Sequence, residues 1–241
     1  VPPLRILVGA NVPKDPNSGA AGTVYHTSEA LRELGHEVDE IWCDDLPRRI
    51  GHGNLHYLLE LPRRYRDAVR RKAATREYDV IQLSQPHGFL AAKEHRSLKR
   101  KGIFIIRSHG LEQRVREDVE RYGQRKASAN LPRRLLSHTL SRLLRNNQIN
   151  AIRFADAMIV PCQDDRNYLL ERLGADTKRV AVIHHGAPQT FIDTPAAPYT
   201  ESRAKKLLYI GQFAYFKGPH ILADAIRSIL HAEPDATLTW V

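Results

Sequence analysis

The chain has 241 residues, with 37 Lys or Arg against 27 Asp or Glu and a formal net charge of +10. That length allows one or two domains with a sizeable core, and no apolar run approaches the roughly 20 residues a helix needs to cross a bilayer. The charge is uneven: positions 61–153 hold 23 basic and 8 acidic residues, net +15, which leaves the remainder at −5.

In chain order, Leu4–Gly9 is a short apolar strand, and the loop Pro16 to Gly22, with glycines at 19 and 22, opens an amphipathic helix that runs from about Gly22 to Leu34 and is stopped by Gly35. Glu37–Trp42, Asp79–Leu83, Ile103–Arg107, Ala157–Val160 and Val180–Ile183 are five further strand candidates. Continuous apolar strands alternating with helical patterns predict an α/β fold, a Rossmann-like parallel sheet covered on both faces. Two segments between strands are strongly basic: Pro62–Arg76, and a long helix from Arg133 to Phe154 whose leucines recur at helical spacing among arginines. Asp164 and Asp165 start a shorter helix that Gly174 ends.

Pro188, Pro195 and Pro198 break helix and central strand alike, so a linker over 187–204 separates a first domain, 1–186, from a second at 205–241. The second repeats the opening pattern. Leu207–Ile210 ends in Gly211, Lys217-Gly218-Pro219 opens a helix, and Ala236–Val241 begins another strand. So small a βαβ piece has too few contacts to stand alone, and the chain is expected to stop inside an incomplete second Rossmann-like domain. Each strand hands over to a helix N-terminus with unpaired N–H groups and a positive dipole end, which suits phosphate. Two such mouths point to a phosphorylated ligand held between two domains.

The order of five segments resembles the group 1 (family 4) glycosyltransferases of the GT-B type: Ser18 to Gly22; Ala30 to Val38, reading ALRELGHEV; Ser108-His109-Gly110-Leu111-Glu112; Val180 to Gly186, reading VAVIHHG; and Gly211-Gln212-Phe213 with Lys217-Gly218. The resemblance covers essentially the whole chain. It implies a retaining, metal-independent enzyme that moves a sugar from a nucleotide-diphosphate sugar to an acceptor, with no cofactor. It places Gly19 and Gly22 against the acceptor and donor phosphates, His109 at the transferred sugar or the reaction centre, and Lys217 on the leaving diphosphate. Gln212 stands where family members usually carry an Arg and can bond phosphate without bringing charge. Glu112, three residues after His109, is a candidate to orient it or to cap the next helix. The family's paired glutamates would lie beyond Val241, so the 241 residues alone are expected to be inactive.

Other patterns narrow the reading. His52 and His56 stand four apart without a nearby carboxylate, a poor metal site. No Asp-x-Asp pair and no Gly-x-x-x-x-Gly-Lys-Ser/Thr loop occurs. Cys43 and Cys162 read as reduced, buried thiols at strand ends. The chain is expected in the cytoplasm, peripheral at the inner face of the membrane, with the basic segment 61–153 docking on anionic lipid or an acidic acceptor. No helix-turn-helix, zinc or aromatic stacking motif supports specific nucleic-acid binding. The rival to an enzyme is a non-catalytic Rossmann-like module that binds an anionic lipid or glycan.

Overall fold

The computed structural model describes residues 2–123, 131–187, 189–211, 213–214 and 217–241, and side chains throughout these except at 119–123, 131–137 and 202. The chain forms two compact units, Val1–Arg114 with Ala129–Gly186, and Val115–Ser128 with Ala187–Val241.

The first unit is built on six parallel strands: β1 (Arg5–Gly9), β2 (Glu37–Ile41), β3 (Val80–Ser84), β4 (Ile103–Arg107), β5 (Ala157–Val160) and β6 (Val180–Val182). Their order is β2-β1-β3-β4-β5-β6, so the direction of winding reverses between β1 and β3. Its helices are α1 (Gly19–Glu33), α2 (Gly53–Leu55), α3 (Leu61–Thr75), α4 (Phe89–Ser97), α6 (Leu131–Phe154) and α7 (Gln163–Leu173), while α5 (Glu112–Gly123) starts in this unit and from Val115 on belongs to the second. Strand β1 shows why its residues are apolar without alternation. Ile6 and Val8 pack with Ala21 and Val24 of α1, whereas Leu7 joins Ile81, Leu83, Phe104, Ile106 and Met158 in the larger cluster completed by α3, α4, α6 and α7. Sealing such side chains contributes about 1.5–3 kcal/mol each before entropy is charged against it. Gly35 and Gly174 end α1 and α7 with φ of 86° and 68°, the left-handed geometry that favours glycine.

The arginines of α3 are largely engaged inside the unit. Arg64 pairs with Glu60 at 2.7 Å, Arg66 with Asp67 at 2.9 Å and Arg70 with Glu94 at 2.6 Å. Arg76 pairs with Glu37 and Asp39, and Arg71 bonds the carbonyl of Asp45. This part of the basic segment is therefore cross-linked to acidic neighbours rather than held out as one cationic face. Among the described residues, no helix is long and apolar enough to cross a membrane.

In the second unit α8 (Gln189–Asp193) and α9 (Glu201–Ala204) are short turns of helix within the Pro-rich stretch. β7 (Lys206–Tyr209) and β8 (Thr237–Trp240) pair in parallel, joined by α10 (Pro219–Ala232). Cys43 and Cys162 are free and half-buried, Cys43 in a 3-10 turn after β2 and Cys162 at the N-cap of α7; they are less enclosed than the sequence suggested, because both fall just outside the strands.

Candidate functional site

In a parallel sheet ligands gather at the carboxyl ends of the strands, above all where the winding reverses. Here that is the junction of Gly9 and Ser84, tied together by a bond from Ser84 Oγ to the Gly9 carbonyl at 3.2 Å. Gly9 is dictated by space, since a Cβ there would sit 2.5 Å from Leu83 Cδ2.

On one side stands the start of α1. The helix begins at Gly19, three residues earlier than the sequence pattern suggested, because the Gly22 N–H already bonds the Ser18 carbonyl at 2.6 Å. Neither Gly19 nor Gly22 has a positive φ; both lie in the first helical turn. Gly22 is required by crowding, with Pro16 O 2.6 Å from where its Cβ would be; around Gly19 nothing lies within 4 Å. Ser18 takes the N-cap position without capping through its side chain, and the first turn has no acidic residue. The N–H groups of residues 19–21 and the positive dipole end are thus available to an anion.

On the other side the chain leaves β3 through a cis Gln85-Pro86 bond into His87. Both polar side-chain atoms of Gln85 and both ring nitrogens of His87 are buried without a hydrogen-bond partner, and His87 is 4% exposed. Burial, with the His56 charge adding, pushes the His87 imidazole down to about 4. Tyr57 packs against it, ring centroids 5.5 Å apart.

From β4 come Arg107 and His109. Arg107 is 6% exposed and donates through Nη1 to Thr27 Oγ1 of α1 at 3.3 Å; no carboxylate among the described residues pairs with it. Burial lowers its pKa. Ser108 N–H bonds the Ile159 carbonyl at 2.8 Å, and Ser108 Oγ accepts the Gly110 N–H at 3.1 Å, a turn that fixes the intervening His109. The His109 ring stacks on His185 at 5.9 Å and 7° between planes. Burial first, then the charges of Arg107 and His185, push it down to about 4, so at neutral pH it is an uncharged imidazole. Its Nδ1 is buried without a partner. His184 is instead committed to the Pro161 carbonyl at 2.8 Å. Glu112 opens α5 and makes no hydrogen bond to His109; its carboxyl is raised by desolvation.

The second unit carries its own strand-to-helix mouth. Gly218 is the N-cap of α10 with φ 74°, and Pro219 follows at the first helical position, where a missing N–H costs nothing. Lys217 precedes them and is exposed, its backbone fixed by a bond from its N–H to the Ala214 carbonyl at 2.8 Å and by Tyr209 Oη donating to its carbonyl at 2.9 Å. The first turn of α10 has no acidic residue. Gln212 lies outside the described residues.

The sequence model of Glycosyltransferase Family 4 matches residues 17–190, from the mouth of α1 to just past His185. The chain belongs to Glycosyltransferase Family 4. No curated protein matches it in sequence. Among solved structures it is similar to sucrose-phosphate synthase from Thermosynechococcus elongatus, with a TM-score of 0.68 at 18% identity over 98% of this chain and 62% of that one. The catalytic domain of starch synthase IV from Arabidopsis thaliana, bound to ADP and acarbose, gives 0.64 at 11% identity over 99% and 68%. Anabaena Alr3699/HepE in complex with UDP-glucose gives 0.56 at 17% over 98% and 60%. The chain therefore spans about three fifths to two thirds of these proteins, and at such identities they establish its fold, the Rossmann-like architecture of GT-B glycosyltransferases.

Within this family 4 chain, the structure brings His109 to the sheet edge beside Arg107, which sequence reading treated only as a strand end. Gln85 and His87 were likewise passed over. The legible signal was polar residues closing two apolar strands, IFIIR before Ser-His-Gly and VIQLS before Gln-Pro-His. His56 has the carboxylate that sequence spacing overlooked, Glu60 at 3.0 Å, one turn on. That carboxylate is taken up by the Arg49 and Ile50 N–H groups and by Arg64, and no cluster of three His, Cys, Asp or Glu suited to a metal stands among the described residues.

Proposed function

We propose that this chain is the acceptor-side domain and the opening of the donor domain of a retaining, metal-independent glycosyltransferase. It would transfer a sugar from a nucleoside diphosphate sugar to an acceptor, the 241 residues being inactive without the remainder of the donor domain. The observation that carries this is Arg107, a buried guanidinium with no carboxylate partner at the sheet's ligand edge. An unpaired buried charge costs several kcal/mol, and an anionic ligand at that edge offsets it.

In this reading the diphosphate is stabilised by main-chain N–H groups at Gly19 to Ala21 and the α1 dipole, with Gly22 holding the turn in place. Lys217 and the α10 N-terminus neutralise charge as it develops on the leaving diphosphate, and Gln212 adds a neutral hydrogen bond. His109, uncharged, offers Nδ1 to a sugar hydroxyl or to the reaction centre, and Glu112 plays a supporting part at most. The basic segment 61–153 docks the protein on an anionic membrane surface or an acidic acceptor, through residues other than the paired arginines of α3. Sedimentation with vesicles containing acidic lipid tests this, and equal binding to neutral vesicles would remove it.

The alternative, a non-catalytic module for an anionic lipid or glycan, draws on the same unpaired Arg107. Lys217→Ala in the protein with its complete donor domain separates the two. The enzyme reading expects a loss of about 100-fold or more in kcat, the scale of removing one preorganised charge contact. Unchanged turnover would contradict it.

A further inference from the structure

An open cavity of about 670 Å³ lies within the first unit at the opposite edge of its sheet, where the strands begin. Arg153 and Phe154 precede β5, Arg179 directly precedes β6, and Arg96 comes from the end of α4. Its apolar wall is Ile152, Phe154 and Leu173.

Three guanidinium groups line this cavity, and two are fixed by backbone. Arg96 Nη1 donates to the Arg153 carbonyl at 3.0 Å; Arg179 donates through Nη2 to the Ile152 carbonyl at 3.0 Å and through Nε to the Asp156 carbonyl at 3.1 Å. These contacts offset the negative end of α6 and leave further N–H groups of both side chains unused. The third, Arg153, has no hydrogen-bond acceptor among the described residues and lies over the Phe154 ring at 5.5 Å. Elsewhere in the unit arginines meet carboxylates, as at Arg64, Arg70 and Arg114. Here the one lining carboxylate is Asp176, whose Oδ1 already accepts the Lys178 N–H at 2.9 Å. Three cations against one anion leave a surplus that a dianion would match.

We propose that this cavity is a second binding site, for a phosphoryl group carried on an apolar or ring-bearing body, separate from the edge that holds Arg107 and His109. Guanidinium forks suit phosphate oxygens, the volume fits a small organic ligand, and the apolar wall accommodates its body. The phosphoryl group belongs either to a soluble monoester or to a lipid headgroup.

The test uses the 241-residue chain with two probes at fixed ionic strength: phenyl phosphate by calorimetry, and vesicles of phosphatidylcholine with or without phosphatidic acid by sedimentation. Saturable binding should weaken roughly tenfold or more in Arg153→Gln, the scale of one lost charge-assisted contact. It should be unchanged in Arg227→Gln, an exposed arginine of α10 outside the basic segment, and in His109→Ala at the other edge. Arg153-sensitive binding of phenyl phosphate indicates a soluble ligand, and Arg153-sensitive binding confined to phosphatidic acid vesicles indicates a lipid. If Arg153→Gln lowers the melting temperature, Arg153→Lys, which keeps the charge and loses the fork, should bind with intermediate strength. The proposal is overturned if Arg153→Gln and Arg227→Gln weaken binding equally, if only His109→Ala weakens it, or if neither probe binds saturably at millimolar concentration.

Discussion

Two glycines three residues apart in the first turn of α1 do different work. Gly22→Ala would drive a Cβ against the Pro16 carbonyl, 2.6 Å away, and should destabilise the fold by about 1–3 kcal/mol, the usual cost of overpacking. Gly19→Ala meets nothing within 4 Å and should be neutral or stabilising by up to about 1 kcal/mol, since alanine is the better helix former. Urea denaturation of the two variants measures the contrast; equal effects would show that the loop before α1 is not packed as described. The sequence marked both glycines alike, because a glycine pattern does not distinguish an open helical position from a close approach.

His87 gives a pH signature. Its folded pKa of about 4 lies below the ordinary value of 6.5, so between these values the unfolded chain takes up the proton first. The stability from burying it neutral is complete above about pH 6.5 and is lost as pH falls towards 4, on the order of 3 kcal/mol. Glu60 acts lower down. The His56 contact and the Ile50 N–H hold its carboxylate well below the usual range, so its contribution is present above the unfolded carboxyl value and fades only in more acid solution. His87→Phe should therefore flatten the fall in denaturation midpoint between pH 7 and pH 5 and leave the steeper fall below pH 4. An unaltered profile in that variant would mean that His87 is not the titrating group.

At the scale of elements, strands were legible and partners were not. All six strands of the sheet lie within a residue or so of their expected ends; β1, buried on both faces, is apolar throughout at Ile6, Leu7 and Val8, whereas the edge strand β2 carries Glu37, Asp39 and Glu40. The long basic helix was equally plain from its leucine spacing; α4 was not, since Phe89–Ser97 is short and carries its buried alanines among charged residues. The basic count showed the charge but not its partners. Arg64, Arg66, Arg70 and Arg76 find carboxylates, and three of these arginines reach partners more than 20 residues away, which no local pattern announces. For the same reason Gln85, His87 and Arg107 could be seen as polar strand ends while their lack of partners could not. Solvation and pairing are decided by neighbours distant in sequence.

For the whole molecule, the complete six-stranded sheet and its covering helices end at Val182, before the Pro-rich stretch. A chain ending at Gly186 should fold and melt cooperatively by circular dichroism, and a non-cooperative melt would show that the first unit depends on residues beyond it. After Gly186 the described residues hold two strands and three α-helices; on the proposed reading, the donor-side chemistry of Lys217 is tested in the protein with a complete donor domain. The most direct measurement is made on that protein: release of nucleoside diphosphate from a panel of nucleotide sugars in the presence of EDTA, with the anomeric configuration of the product read by NMR. The account predicts release with retained configuration, reduced sharply by His109→Ala and by Lys217→Ala. Tight binding of nucleotide sugars with no release from any of them, or a product of inverted configuration, would contradict it.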